Sequence, residues 1–440
     1  MADLQNAQTL RQPAMLPTIS TDGAHKKPRN GNFELMRIVA ACMVIFNHTF
    51  NQYYLNPNGS LYLPAIYVNL INVCAVGCFF MLTGYFLFKG NSGYFDKIKK
   101  TVFDLVLPTI VVLILIELTH AVAETLGKGA LAFFAQFWGN LKRVAKEALA
   151  FGFTERRGYL WYVLDYIVVI IWYPLLKYIC AKDKNADFTR RFLIALCVAA
   201  YIAYDIGQIF SLKFAINVPA IFRFNVLFVL LGYEVNRLVE TEKYKKFKKG
   251  FGAAGILLYL VGVALAILFT YVAYVRKNFF NPYFTYLGNL TSIVSAFGLF
   301  VFFAGLGINN PQTQTAVRSL GKQTLYVYLL QSPFHVIIAN IGLKNALFPR
   351  CGFYAFIVVG IVDTVASFGI AYLVNFIKDY AAKKINQREE RLRQRYIPQN
   401  VVAGEKSENG TDKNSQDIVS PNMAQNDAVK SEKGEKDGTR

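Results

Sequence analysis

Charged side chains are scarce in this 440-residue chain: 17% are Asp, Glu, Lys or Arg, against 54% hydrophobic and 15% aromatic. That balance excludes intrinsic disorder for the bulk of the chain and falls short of the roughly one-quarter charge of a soluble globular protein. Cysteine is sparse as well. All six (Cys42, Cys74, Cys78, Cys180, Cys197 and Cys351) lie in or beside apolar stretches, where a thiol behaves as a small hydrophobe, so no disulfide framework is implied. Cys74 and Cys78 share a helix face but have no neighbouring His or further Cys, which reads as packing and not as a metal site. The chain shows no repeat of fixed period, no phosphate-cradling glycine loop and no nucleotide-binding fingerprint.

What is present is a succession of long apolar runs. Crossing about 30 Å of hydrocarbon at 1.5 Å per residue takes about 20 residues. About ten segments meet that length. They lie near 33–52, 63–88, 101–124, 159–180, 191–209, 216–236, 251–275, 284–307, 321–343 and 353–377. The expected fold is therefore all-α, a polytopic membrane helix bundle occupying residues 33–380. Residues 1–32, rich in Pro, Gly and polar groups and lacking the apolar core of a cleaved signal sequence, read as a flexible cytoplasmic tail. Residues 381–402 read as a basic juxtamembrane helix stopped by Pro398, and 403–440 as a disordered cytoplasmic tail.

The net charge of +19 does not call for nucleic acid, because the cations cluster between the apolar runs. With the amino terminus inside, the inner connections hold Lys89, Lys97, Lys99 and Lys100, then Lys177, Lys182, Lys184, Arg190 and Arg191, then Arg237 and the lysines from Lys243 to Lys249, then Arg318 and Lys322. The outer ones hold few: Lys213, Arg276, Lys277, Lys344 and Arg350. Retention of cations on the cytoplasmic side then puts both termini inside. The connection 125–158 is the exception, with Lys142, Arg143 and Arg157 interleaved among Phe133, Phe137, Trp138 and Leu141. It reads as an amphipathic helix in the outer interface, either a plain surface anchor or a lid that guides an acceptor.

An ionisable group inside a membrane helix costs about 2.5 kcal/mol or more, so each is a functional candidate. The candidates are Glu34, Arg37 and His48 in the first span, then Asp104, Glu117, Asp165, Asp205, Arg223, Glu234, His335 and Asp363. Arg37 and His48, eleven residues apart, return to within about 20° of one helix face while separating by roughly 16 Å along the axis. A cation at one end and an imidazole at the other suit a reaction that starts from an anionic donor inside and ends on an acceptor outside. Alternatively, Arg37 snorkels to lipid phosphate and His48 bonds a backbone carbonyl.

Six stretches in order resemble one family. NFELMRIVAACMVIFNHTF (32–50) is similar to the first helix of the integral-membrane acyltransferase 3 family, with its Arg and His at this spacing. CFFMLTGYFLFK (78–89), KIKKTVFDLVLPTI (97–110), GYLWYVLDYIVVIIWYPLL (158–176), FRFNVLFVLLGYEVNR (222–237) and LGKQTLYVYLLQSPF (320–334) resemble its later segments. The resemblance implies transfer of an acyl group, usually acetyl, from cytoplasmic acyl-CoA to a hydroxyl of an extracytoplasmic cell-envelope glycan: exopolysaccharide, capsule, lipopolysaccharide or peptidoglycan. It implies a bacterial plasma (inner) membrane, with glycan-assembly proteins as partners and no metal. Family roles carry over to Arg37 and His48, and the basic pair before the third helix to Lys99 and Lys100, where lysine stands for the more usual arginine. Two positions depart: Tyr159 and Gln331 stand where histidine is frequent, and His335 follows one turn later.

The chemistry asks for three things. Arg37, Lys97, Lys99 and Lys100 would receive the coenzyme A phosphates. His48 would take the proton of the acceptor hydroxyl or accept the acyl group itself, with Asp165 as its orienting carboxylate, although Arg223 is an equally placed partner for Asp165. Arg223, Tyr159 or Trp161 would stabilise the oxyanion. Plain positive-inside retention also accounts for each lysine. A rival class is a polysaccharide or small-molecule transporter, for which an interior Arg and His are equally natural. A scaffold presenting basic tails leaves the interior charges unexplained.

Overall fold

A computed structural model describes residues 30–50, 62–90, 92–150, 160–210, 224–277, 280, 282–331 and 352–396. Among these residues every regular element is helical. In chain order they are α1 (Gly31–Phe50), α2 (Leu63–Asn72), α3 (Ala75–Leu87), α4 (Tyr94–Thr101), a π turn (Val102–Val106), α5 (Leu107–Thr125), α6 (Ala130–Leu149), α7 (Trp161–Ile171) and α8 (Tyr173–Ile179). There follow α9 (Lys184–Phe210), α10 (Phe224–Glu240), α11 (Glu242–Lys246), α12 (Lys248–Lys277), a 3₁₀ turn (Pro282–Thr285), α13 (Leu290–Gly305), α14 (Pro311–Gly321), α15 (324–331) and α16 (Phe353–Tyr396).

Among the described residues, six stretches are long and apolar enough to cross a membrane: Leu63–Leu87, Tyr94–Val122, Lys184–Phe210, Lys248–Arg276, Pro282–Gly305 and Phe353–Leu392. The pair α7 and α8, bent by 63°, gives a seventh by the same length and composition. Of the other three expected spans, α1 carries Glu34 and Arg37 within its 20 residues, and α10 is 17 residues long. The ninth is described only as far as Gln331. Outward faces are apolar: Leu257 and Leu260 on α12, Ile114 and Leu115 on α5 and Phe192 and Leu196 on α9 are exposed large hydrophobics, which in water would be a liability and in lipid is the ordinary surface.

The chain divides into two units after Ile377. In the second, the described residues 378–396 are helical, and those to 392 are exposed.

Close backbone approach holds the first unit together. A Cβ at Gly84 of α3 would overlap the Val229 carbonyl of α10, and one at Gly232 would overlap the Met81 carbonyl, so the two helices meet through these two glycines. Small residues let backbones approach where no hydrophobic effect drives helix association in lipid. Around this seam lies the main core, with Phe80, Met81, Leu227, Phe228 and Phe300 fully or almost fully buried. The π turn has a local cause. Pro108 has no N–H to give the Asp104 carbonyl, and Leu107 N–H bonds the Val102 carbonyl five residues back.

The basic connections contain one misplaced residue. Arg190, expected among inner-loop cations, lies on α9 and is fully buried. Its Nε donates to Glu234, its Nη1 to the Ile179 carbonyl at 3.1 Å and its Nη2 to Asp187 at 2.9 Å. Arg237 joins through Asp187, so α8, α9 and α10 are tied at one end. The amphipathic helix expected within 125–158 is α6, with Leu131, Phe134 and Trp138 exposed and Gln136 donating to Glu124 of α5 at 2.6 Å.

Candidate functional site

The site grows from the Arg37 end of α1. One turn earlier on that helix, Glu34 is almost fully buried and accepts a hydrogen bond from the Arg37 guanidinium, which is about one-quarter exposed. The pair fixes the arginine at the edge of a cavity of about 640 Å³. The cationic side of that cavity is Arg37, Lys89, Lys97 and Lys100. Hydroxyls come from Thr83, Ser92, Thr101, Tyr162 and Tyr166, carboxylates from Asp96 and Asp104, and apolar walls from Phe79, Leu82, Phe86, Ile170 and Leu325.

Each wall has a local reason. Lys89 follows α3 and sits 4.1 Å from the centre of the Tyr85 ring, with Arg37 5.9 Å from that of Phe86. Lys97 donates to the Leu87 carbonyl at 2.9 Å and lies 4.8 Å from the Tyr173 ring, so α4 is folded back over the end of α3. Asp96 caps α4 by accepting from Gly93 N–H at 3.1 Å. The Asp104 side chain issues from the π turn. Tyr162, Tyr166 and Ile170 form an i, i+4, i+8 stripe along α7, which turns one face to the cavity.

Chemically this is a mainly apolar cleft with a net positive edge, a character that suits an anion carrying an apolar arm. Phe79 lines the cavity and also packs on a buried cluster of Ala41, Ile45, Val327 and Ala371. That apolar layer stands between the cavity and the far end of α1.

Of the residues picked from the sequence, Arg37 and Lys100 line this cavity together with Lys97, whereas Lys99 is not among the lining residues. His48 is half-buried on α1, beyond the apolar layer, and does not line it. Asp165 is buried on α7, three residues from the cavity-lining Tyr162. Trp161 packs against Phe80 with ring centres 6.4 Å apart, and neither Asp165 nor Trp161 lines the cavity. Tyr159, Arg223 and His335 lie outside the described residues, so the pairing of Asp165 with Arg223 does too. Among the described residues no group of His, Cys, Asp or Glu could hold a metal ion.

Sequence reasoning missed Tyr162 and Tyr166, although their spacing within an apolar helix was available as a signal. It also missed Thr83 and Thr101 as lining groups, and for these there was no signal: each hydroxyl accounts for itself by donating to a carbonyl four residues back.

A family model described as an acyltransferase domain matches residues 30–376. The match takes in the cavity, both ends of α1 and α16 almost to the boundary between the two units. No curated protein and no solved structure matches the chain.

Proposed function

The chain belongs to the acyltransferase 3 family, a membrane acyltransferase with several apolar helices, and from that premise we propose that it moves an acetyl group from cytoplasmic acetyl-CoA to a hydroxyl of an extracytoplasmic cell-envelope glycan in a bacterial inner membrane. The observation that carries this reading is the mainly apolar cavity with a cationic edge at the Arg37 end of α1. Phosphates of the donor meet Arg37, Lys97 and Lys100, with Lys89 beside them, and the apolar arm runs along Phe79, Leu82 and Tyr166 towards the interior. Lys99 contributes long-range attraction from outside the lining.

Along α1, about 16 Å separates Arg37 from His48, a distance the extended arm of the donor spans. There the acceptor hydroxyl attacks the thioester carbonyl and His48 takes its proton. The carbon–sulfur bond then breaks, and the departing thiolate receives that proton to leave as the free thiol. Asp165 orients the imidazole, and Arg223, Tyr159 and Trp161 are the candidate donors to the oxyanion. The arm passes the Phe79 layer, whose apolar side chains close around it and keep the water of the cavity from the thioester.

The test is purified protein with radiolabelled acetyl-CoA and de-O-acylated envelope glycan fragments. Labelled ester is expected from the wild-type protein, with His48→Ala folded and inactive. Normal acylation by His48→Ala would remove the catalytic assignment. Absence of ester from the wild-type protein, with retention of glycan ester in a deletion strain, would favour the transporter reading.

A further inference from the structure

Beyond the apolar layer, three helices place polar side chains at one level, half-buried on α1 and buried on the other two. Two of them run side by side in register. The Gly321 backbone lies against the Glu34 carboxylate, and further on Val327 of α15 packs with Ala41 and Ile45 of α1. Continuing the register, Gln331 stands four residues, about 6 Å, past Val327 and within about 40° of the same face. On α1, His48 lies within about 20° of Ala41, on the stripe that faces Val327. The two stripes therefore bring Gln331 level with the stretch from Val44 to Thr49, on the side that carries His48.

Helix α16 runs the opposite way past both. Asn375 donates to Gln323, Ala371 joins the Val327 cluster, and Gly360 lies against the Phe46 ring. Between those last two contacts are Ser367, fully buried, and Asp363, almost so, with the Ser367 hydroxyl donating to the Asp363 carboxylate at 3.3 Å. Two polar side chains held inside an apolar bundle mark this level as functional.

Gln331 stands out within it. Its side chain is 3% exposed, yet neither Nε2 nor Oε1 has a hydrogen-bond partner among the described residues. A buried amide with both ends unpaired sacrifices stability, on an interior where nearly all such groups are satisfied. Stability given up at a reacting level is the signature of a group kept for a ligand.

We infer that Gln331 is a catalytic residue whose amide N–H donates to the carbonyl oxygen of the acyl group during transfer. The inference rests on the acyl-transfer reading above and adds a donor to it. As the acceptor oxygen bonds to the carbonyl carbon, the carbonyl electron pair moves onto oxygen and the Nε2–H bond to it shortens. As the carbon–sulfur bond breaks, the carbonyl re-forms and the hydroxyl proton, held by His48, passes to the departing sulfur. Nothing further is consumed.

The experiment compares wild type, Gln331→Met and Gln331→His, using radiolabelled acetyl-CoA with de-O-acylated exopolysaccharide and peptidoglycan fragments, and thermal unfolding of the same preparations. Methionine keeps the shape and removes both polar ends. Losing one preorganised donor should lower kcat by about 100-fold with KM for acetyl-CoA little changed, while Tm stays level or rises because no internal bond is lost. Histidine restores an N–H and should recover most of the turnover. A Gln331→Met protein with wild-type kcat, or one that loses stability and is not rescued by histidine, overturns the inference and leaves the acyl-transfer reading standing. A wild-type protein that makes no ester overturns that reading itself, and this inference with it.

Discussion

Arg37 and Glu34 are bonded across one turn of α1, and the same carboxylate is pressed against Gly321 at the end of α14. The arginine that edges the cavity is therefore held by a buried acid at a helix–helix contact. Removing it has two separable effects. Arg37→Ala should raise KM for acetyl-CoA by roughly tenfold or more and should also destabilise by about 1–3 kcal/mol, because the buried carboxylate loses a charged partner. Adding Glu34→Gln should recover stability without recovering donor affinity. Thermal unfolding alongside donor titration checks this, and a double variant that binds donor normally would show that Arg37 acts only through packing.

Phe79 lines the cavity and packs against Ala41, Ile45, Val327 and Ala371. Shortening it to alanine should admit water to the bound thioester, so that hydrolysis of acetyl-CoA without acceptor rises while the yield of glycan ester per donor consumed falls. Free thiol release measured with and without glycan separates the two. Unchanged coupling would mean that the barrier lies elsewhere.

The buried guanidinium of Arg190 serves three acceptors on two neighbouring helices and its own: Glu234, the Ile179 carbonyl and Asp187. Arg190→Lys keeps the charge but cannot reproduce the planar fork, and should destabilise almost as much as Arg190→Ala, about 3 kcal/mol or more. A lysine variant with wild-type Tm would contradict the fork geometry.

Asp205 of α9 accepts from Tyr283 Oη at 2.6 Å and from the Leu290 N–H, the first residue of α13, at 3.0 Å. One carboxylate thus anchors the 3₁₀ turn and the start of the next helix, whose amino end favours negative charge. Tyr283→Phe should cost about 1–2 kcal/mol and Asp205→Ala more, since the alanine loses both bonds. Equal Tm values for the two variants would show that the Leu290 bond contributes nothing.

The seven apolar stretches were legible as runs of about 20 residues, because the bilayer imposes a length that packing does not alter. The cation pattern named Arg37, Lys97, Lys99 and Lys100 together; three of them share the cavity edge and Lys99 does not, because direction around a short helix is set by packing. Arg190 was not. It sits beside Arg191 in a basic run at the start of a helix, and consecutive residues differ by 100° in direction, so only packing decides which one turns inward. Gln331 was visible only as a departure from a familiar pattern. Its meaning came from burial and from the register of α15 on α1, which a single sequence does not contain. Asp165 and Asp363 were both legible as interior acids, and depth along the helix set Asp165 level with His48, whereas which helices are neighbours is a coordinate a single sequence does not contain.

Transfer of the acyl group across the membrane along α1, from the Arg37 end to the His48 end, can be followed in sealed vesicles holding the protein in one orientation, with radiolabelled acetyl-CoA confined to one side and glycan fragments to the other. Labelled ester is expected only when acetyl-CoA is on the side of Lys97 and Lys100 and glycan is opposite. Ester formed only when both substrates share a side would contradict it.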